Sequence, residues 1–234
     1  GDPARMPPEI RKSAELSEAI HRWYQENYGD RLNEDPCPGH SVLLLDEDLY
    51  KLRVPRLFGS VEFVVTREWL PEPGISRAPV IANIVQLVAD MTPSKAERLS
   101  DDALQHLAKG FERALPASYL LESTSHKLMY SARGDIAVAV LNLMERGDRY
   151  GASKWASLQA SEKVLKAAIE LEGAKFAFTH DLSKLRAVLE DAGITIDADE
   201  QITAIQCRPG IRYGEEPCSR EEALWAHHAT LDLV

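Results

Sequence analysis

No stretch of this 234-residue chain approaches the roughly 18 consecutive apolar residues of a membrane-spanning helix. It shows no charged start followed by an apolar core, so no secretory leader is expected. Cysteine is scarce. Cys37, Cys207 and Cys218 are odd in number and far apart, which argues against a disulfide framework and for a reducing, cytoplasmic compartment. Positive charge is also short. The net charge is −10, both halves share the acidic excess, and neither is a basic module. Non-specific nucleic-acid binding draws on many phosphate contacts, so the balance argues against a generic DNA or RNA binder, though it does not exclude a local basic cleft. A glycine-rich phosphate loop is absent, as is a Ser/His/Asp set with a local motif. No cofactor and no metal ion is expected.

Apolar residues make up 44% and charged residues 27%, ordinary values for a soluble globular chain. Over 9–28, Leu16, Ile20, Trp23 and Tyr24 recur at helical spacing. A turn-rich piece, 35–39, precedes three strand-like runs, Val42–Leu45, Leu49–Val54 and Val61–Val65. Pro55 and Gly59 interrupt them, and Pro71, Pro73 and Gly74 make a loop. From about 80 the spacing turns helical. Ile81, Ile84, Val85 and Val88 form one stripe, and Ser94 with Glu97 has capping-box spacing. Ser100 is placed to cap a helix carrying Leu104, Leu107, Ala108 and Phe111. Residues 124–146 predict a long amphipathic helix, with Gly147 and Gly151 marking its end. The expectation is an α+β chain, with a mixed α/β part over 1–100 and a helical bundle over 101–234.

Ser153–Glu172 predicts a further helix. At 100° per residue, Trp155, Leu158, Leu165, Ala168 and Ile169 share an arc of about 140°, and Glu162 falls inside it. A carboxylate on a packed face is costly unless paired. Lys166, four residues on, stands in the favourable order. Two readings follow: a rim ion pair, or a buried carboxylate that meets His180 or Arg212 and fixes the bundle's register. After Gly173, Thr179 is placed to cap the next helix, Asp181 suits its positive end, and Leu182, Leu185 and Leu189 supply its buried stripe. A lone histidine such as His180 is more often structural than catalytic.

The string ASEKVLKAAIELEGAKFAFTHDLSKL resembles the core of the HEPN family, the higher eukaryote and prokaryote nucleotide-binding domain. Ala160, Glu162, Lys163 and Lys166 match its A-x-E-K-x-x-K run, and Thr179, His180, Asp181 and Leu182 match its T-H-D-L helix start. Ile211-Arg212-Tyr213, then Ser219 with Glu222 and Ala223, are similar to its arginine–tyrosine turn and last helix. The resemblance covers about 120–234 and says nothing of 1–90. It implies an up-and-down bundle of four or five helices, a homodimer formed through the helices, and nucleotide or RNA as ligand. The implied cleft uses Lys163, Lys166, His180, Arg212 and Tyr213, with cations on phosphate and the tyrosine ring stacked on a base.

Toxin members of that family are metal-independent ribonucleases with an arginine, four to six residues, then a histidine. Arg220 and His227 fit. On a helix they share a face roughly 10 Å apart, where a guanidinium could hold a phosphate and an imidazole could exchange protons. However, Glu221 stands where active members carry Asn, Asp or His, and Leu224 and Leu231 share the same face. The plainer reading is that Ser219 caps the helix and Glu221 and Glu222 favour its N-terminus. A third possibility is a protein-interaction scaffold without a small ligand.

Leu57-Phe58-Gly59-Ser60 resembles the Gly-Ser of minimal nucleotidyltransferases, but no D-x-D follows it. Asp46 and Asp48 precede it; at i and i+2 of a strand they point the same way and could hold a divalent ion, but most such pairs are solvated strand ends. Cys37-Pro38-Gly39-His40 offers two possible zinc ligands with no second pair at useful spacing, so turn structure is expected.

Overall fold

The computed structural model describes residues 16, 18–20, 22–27, 29, 37–71, 80–145, 147, 149–176 and 178–234. The chain divides into two compact units, 1–36 and 37–234. In the first unit, residues 16, 18–20 and 22–27 are helical. Trp23 and Tyr24 meet edge to face with centroids 5.2 Å apart. Residues 9–15 of the expected helix, and Pro73 and Gly74 of the expected loop, lie outside the described residues.

The second unit is α+β. Strands β1 (Gly39–Leu45) and β2 (Asp48–Val54) pair antiparallel, from Gly39 opposite Val54 to Leu45 opposite Asp48. That register leaves a two-residue turn, Asp46-Glu47, with φ of 46° and 75°, as tight hairpins require. Asp46 is no solvated strand end. Its carboxylate accepts from the Ser100 hydroxyl at 2.5 Å and from the Ser100 N–H at 3.0 Å. These bonds, the hydroxyl's first, hold its carboxyl below the usual range. Ser100 in turn caps α1 (Asp101–Ser123) by accepting from Ala103 N–H. The hairpin turn is thereby fastened to the start of the first long helix.

Strands β3 (Val61–Val64) and β4 (Val80–Asn83) pair parallel. The helical stripe expected from Ile81 is corrected here: Val80–Asn83 is strand, and only Ile84–Leu87 turns, as a 3-10 helix. The β-branched run suits the pleat. Asn83 then ends it, accepting from Thr66 and Val85 N–H and donating to the Thr66 and Glu68 carbonyls. The Ser94/Glu97 box is also not used. Thr92 caps the one-turn helix Pro93–Ala96 by accepting from Lys95 N–H.

Helices follow: α2 (Lys127–Met144), α3 (Tyr150–Leu171), α4 (Leu182–Asp191), α5 (Asp199–Ile205) and α6 (Arg220–Leu233). All described strands lie before residue 84. Ser219 and Glu222 form a full capping box on α6. Asp181, not Thr179, caps α4, accepting from Lys184 N–H, while the Thr179 hydroxyl accepts from Asp181 N–H.

Helix α3 is the centre of the unit and packs on α2, α4 and α6. One side joins a core with β1, β2, α1 and α2, and the other joins α4, α5 and α6. Alanine and serine make this close approach possible. The Ser153 hydroxyl donates to the Ala139 carbonyl at 2.9 Å, and that of Ser161 donates to Thr230 Oγ1 at 3.1 Å. Leu43, Leu45, Leu52 and Val54 share their core with Leu107, Phe111 and Ala160. No packing break therefore follows residue 100, and the compact division falls at 36/37.

Gly151, expected to mark the end of the preceding helix, lies in the first turn of α3 instead. A Cβ added there would stand 2.2 Å from the Ile211 carbonyl oxygen. In an open helix, glycine to alanine gains about 1 kcal/mol. Here backbone must move, and Gly151→Ala is expected to lower stability by about 1–3 kcal/mol. Urea denaturation checks it; an unchanged or raised midpoint would contradict this packing.

Candidate functional site

The apolar arc of α3 turns Glu162 inward, where only 7% of the residue is exposed. Its carboxylate is divided between two partners. Oε1 accepts from Lys166 Nζ at 2.5 Å, and Oε2 lies 2.6 Å from His180 Nδ1. The Gln159 amide nitrogen lies 3.4 Å from Oε2 and 3.5 Å from His180 Nδ1. Of the two sequence readings, the buried carboxylate is the one found, with His180 rather than Arg212 as the distant partner. With Nδ1 directed at Glu162, Nε2 is the ring nitrogen that this carboxylate does not engage. The chain leading into α4 is held too: Gln206 donates to the His180 carbonyl and accepts from Leu182 N–H.

Aromatic rings surround this centre. Lys166 Nζ lies 5.2 Å from the Phe176 centroid and 5.4 Å from that of Phe178, within cation–π range. His180 stands 5.9 Å from Trp155 and 6.0 Å from Phe178. The Phe178 ring is 93% exposed. Sequence reasoning passed over Gln159, Phe176 and Phe178. The available clue was two phenylalanines two residues apart, immediately before the T-H-D-L start.

The other expected ligand residues divide. Lys163 is close by but pairs with Asp135 of α2. Burial, the larger influence, pushes the Asp135 carboxyl above its ordinary value against the pull of Lys163. Arg212 and Tyr213 belong elsewhere. They lie in the 3-10 turn Pro209–Tyr213, which packs on Gly151. Eleven residues of helix, roughly 16 Å, separate Gly151 from Glu162. The Arg212 guanidinium instead lies over the neighbouring Tyr213 ring at 5.5 Å. A single notch gathering all five residues is therefore not found.

The pair Arg220 and His227 does not form an open catalytic face, which corrects the ribonuclease expectation. Arg220 is partly exposed, donating to the Glu47 carbonyl and pairing with Glu221. His227 is sealed at 0% exposure. Its Nε2 lies 3.1 Å from Ser41 Oγ and accepts from Val42 N–H at 3.3 Å. Burial first, then His228 and Arg113, push His227 down to about 3. It is thus neutral at pH 7 and walled off from any phosphate. His228 Nε2 donates to the Val42 carbonyl at 2.7 Å, and burial lowers its pKa too. Two adjacent imidazoles of α6 take up both backbone groups of one residue on the free edge of β1.

Cys37 is buried and His40 lies in β1 opposite Arg53. Among the described residues, no group of three His, Cys, Asp or Glu is arranged to hold a metal ion, and no helix is long and apolar enough to cross a membrane. Burial pushes Cys207 up to about 11 and Cys218 upward as well, so both stay thiols near neutrality.

Two outcomes are expected. Removing Glu162 strands a buried ammonium, so Glu162→Ala should cost about 3–5 kcal/mol. Adding Lys166→Met should recover most of it, and chemical denaturation of both variants checks the difference. The second concerns pH. His227 and His228 bind protons less readily folded than unfolded, so the unfolded state holds more protons below about pH 6.5. Stability should be flat above that value and fall as pH drops toward 5, by about 1 kcal/mol per pH unit for His227 alone. Denaturant midpoints measured from pH 7.5 to 5 should show this, with a shallower fall in His227→Gln.

No family model matches the chain, and no curated protein and no solved structure matches it.

Proposed function

We propose that this chain is a HEPN-type accessory module of the cytoplasm that binds a nucleotide or a short RNA segment, and that the contact lies where α3 meets the start of α4. The observation that carries this reading is the Phe178 ring, almost wholly exposed beside a lysine and a histidine that one buried carboxylate positions. A solvent-facing aromatic is a stacking surface, and every base has a face to offer it. The Gln159 amide and His180 Nε2 supply donors and acceptors for a base edge. Lys166 and Lys163 stand near the ring, each already partnered by a carboxylate, Glu162 and Asp135 respectively. Binding is therefore expected to be local, modest and salt-sensitive. The A-x-E-K-x-x-K and T-H-D-L resemblance supports the same reading, since Lys166 of the first run and His180 of the second are the residues that meet Glu162.

The ribonuclease reading finds no support in a sealed His227. A scaffold function has one observation of its own, an uncharged exposed face on α2.

Wild-type protein should bind labelled single-stranded RNA or a nucleotide in fluorescence anisotropy, and Phe178→Ala should weaken that binding about tenfold. The substitution touches an exposed ring, so circular dichroism should be unchanged. Absence of binding by concentrated wild type to ATP, GTP and short RNA would overturn the reading.

A further inference from the structure

The two outer edges of the hairpin are covered unequally. Val42 of β1 stands opposite Lys51 of β2, and both turn their main-chain groups outward. Those of Val42 are taken by His227 and His228, whereas the Lys51 carbonyl accepts from Ala89 N–H at 2.8 Å. Leu52 faces Val88 across an antiparallel bridge, so residues 88–89 begin a third strand beside β2. That strand stops at once. Asp90 takes φ of 58°, a left-handed conformation that few residues other than glycine adopt, and leads the chain away. Lys95 holds the bend: its Nζ donates to the Asp90 carbonyl at 3.0 Å and lies 5.8 Å from the Tyr50 centroid.

In an antiparallel pair, outward-pointing main-chain groups recur at every second residue. Leu49, two before Lys51, therefore presents its N–H and C=O on this same edge, past the point where residues 88–89 leave it. Outside the hairpin, neither group has a partner among the described residues. An open hollow of about 460 Å³ lies there, floored by Val140, Leu141 and Met144 of α2 and walled by Tyr50 and Ala89. Leu141 is 66% exposed. The side chains of Leu49 and Lys51 share one face of β2, and Leu49 packs on that face against Val140 and Leu143. Lys51 is half-buried and has no ion-pair partner among the described residues. Asp48 and Asp90 stand at the exposed rim, and Asp48 belongs with Tyr50 to the opposite face.

We infer that this hollow receives a short extended peptide segment of a partner protein, which takes up the ladder where residues 88–89 abandon it. A free N–H and C=O side by side on a strand edge match a peptide unit. One residue of the segment, opposite Leu49, exchanges two main-chain hydrogen bonds with it. Its side chain falls on the α2 side, over Leu141 and Met144, and is therefore apolar. Lys51 lies diagonal to that residue, within reach of a carboxylate where the segment turns away beside Ala89. Because Ala89 already fills the position opposite Lys51, the contact is brief: one apolar anchor with an acid next to it. The peptide contact does not depend on nucleotide binding at Phe178, and either reading can fail alone.

The test is affinity selection of a pooled library of N-acetylated, C-amidated random hexapeptides on the full-length protein. Enriched peptides should share an apolar residue beside Asp or Glu and, resynthesised singly, should bind with Kd of about 100 µM or tighter in fluorescence anisotropy. N-methylation of the apolar residue removes its N–H and should weaken binding about tenfold. Leu141→Gln, at an exposed position, should weaken it about fivefold, with circular dichroism unchanged. Selection repeated on Lys51→Glu should exchange the preference for acidic peptides for one for basic peptides. A library from which no sequence is enriched at about 1 mM total peptide leaves the hollow to a ligand of another kind and overturns the inference. Enriched peptides that tolerate N-methylation, or whose binding is indifferent to Leu141→Gln and Lys51→Glu, overturn it too.

Discussion

Helix α3 approaches its neighbours closely because serine and alanine stand where larger side chains would hold them apart, and most of what surrounds it follows from that enclosure. Ser153, Ser157 and Ser161 are wholly buried, beside Ala160 and Ala167. A helix packed on several sides has no solvent face on which to place charge. Glu162 and Lys166 are therefore forced to satisfy one another and to recruit His180 from the next segment. Burying an ion pair rarely gains stability over an apolar pair of the same shape. Its effect is on geometry, because a carboxylate with two partners ties the start of α4 to α3.

The hairpin meets a different constraint. A two-stranded sheet has two open edges, each a row of unpaired backbone groups. The outer edge of β1 is covered by a helix rather than a third strand, and His227 and His228 stand in for the missing strand at Val42. An imidazole can accept through one nitrogen and donate through another, so adjacent histidines satisfy the N–H and C=O of a single residue. The arrangement needs a neutral His227, whose Nε2 accepts from Val42 N–H, whereas His228 donates to the Val42 carbonyl in either charge state, so the seating of the hairpin is tied to pH through His227.

These two networks divide the polar residues between them. The histidine of the arginine–histidine spacing is used up in holding β1. That of the T-H-D-L start is held by a carboxylate at one nitrogen and stays half-exposed, beside a phenylalanine in open solvent. Polar groups that are sealed in the core fix structure, while those oriented by a buried partner yet open to solvent are available to a ligand.

Local pattern determined a good deal: the α+β class, β1 to β3, the long helices after residue 100, the Ser100 and Ser219 caps, and the misplaced carboxylate at Glu162. Each depends on periodicity or on a hydrogen bond spanning a few residues, and both are written in neighbouring letters. Where local patterns compete, the outcome differs from the pattern. Val80–Asn83 lies in a strand because β3 pairs with it, and Asp181 rather than Thr179 is the cap because the helix begins two residues later. Only the tertiary structure decided that His227 is sealed while His180 is half-open, that Arg212 and Tyr213 belong to a turn packed on Gly151 rather than beside Glu162, and that the α2 face is bare. Those outcomes depend on which surfaces meet, and a chain does not spell out which of its distant residues will cover one another.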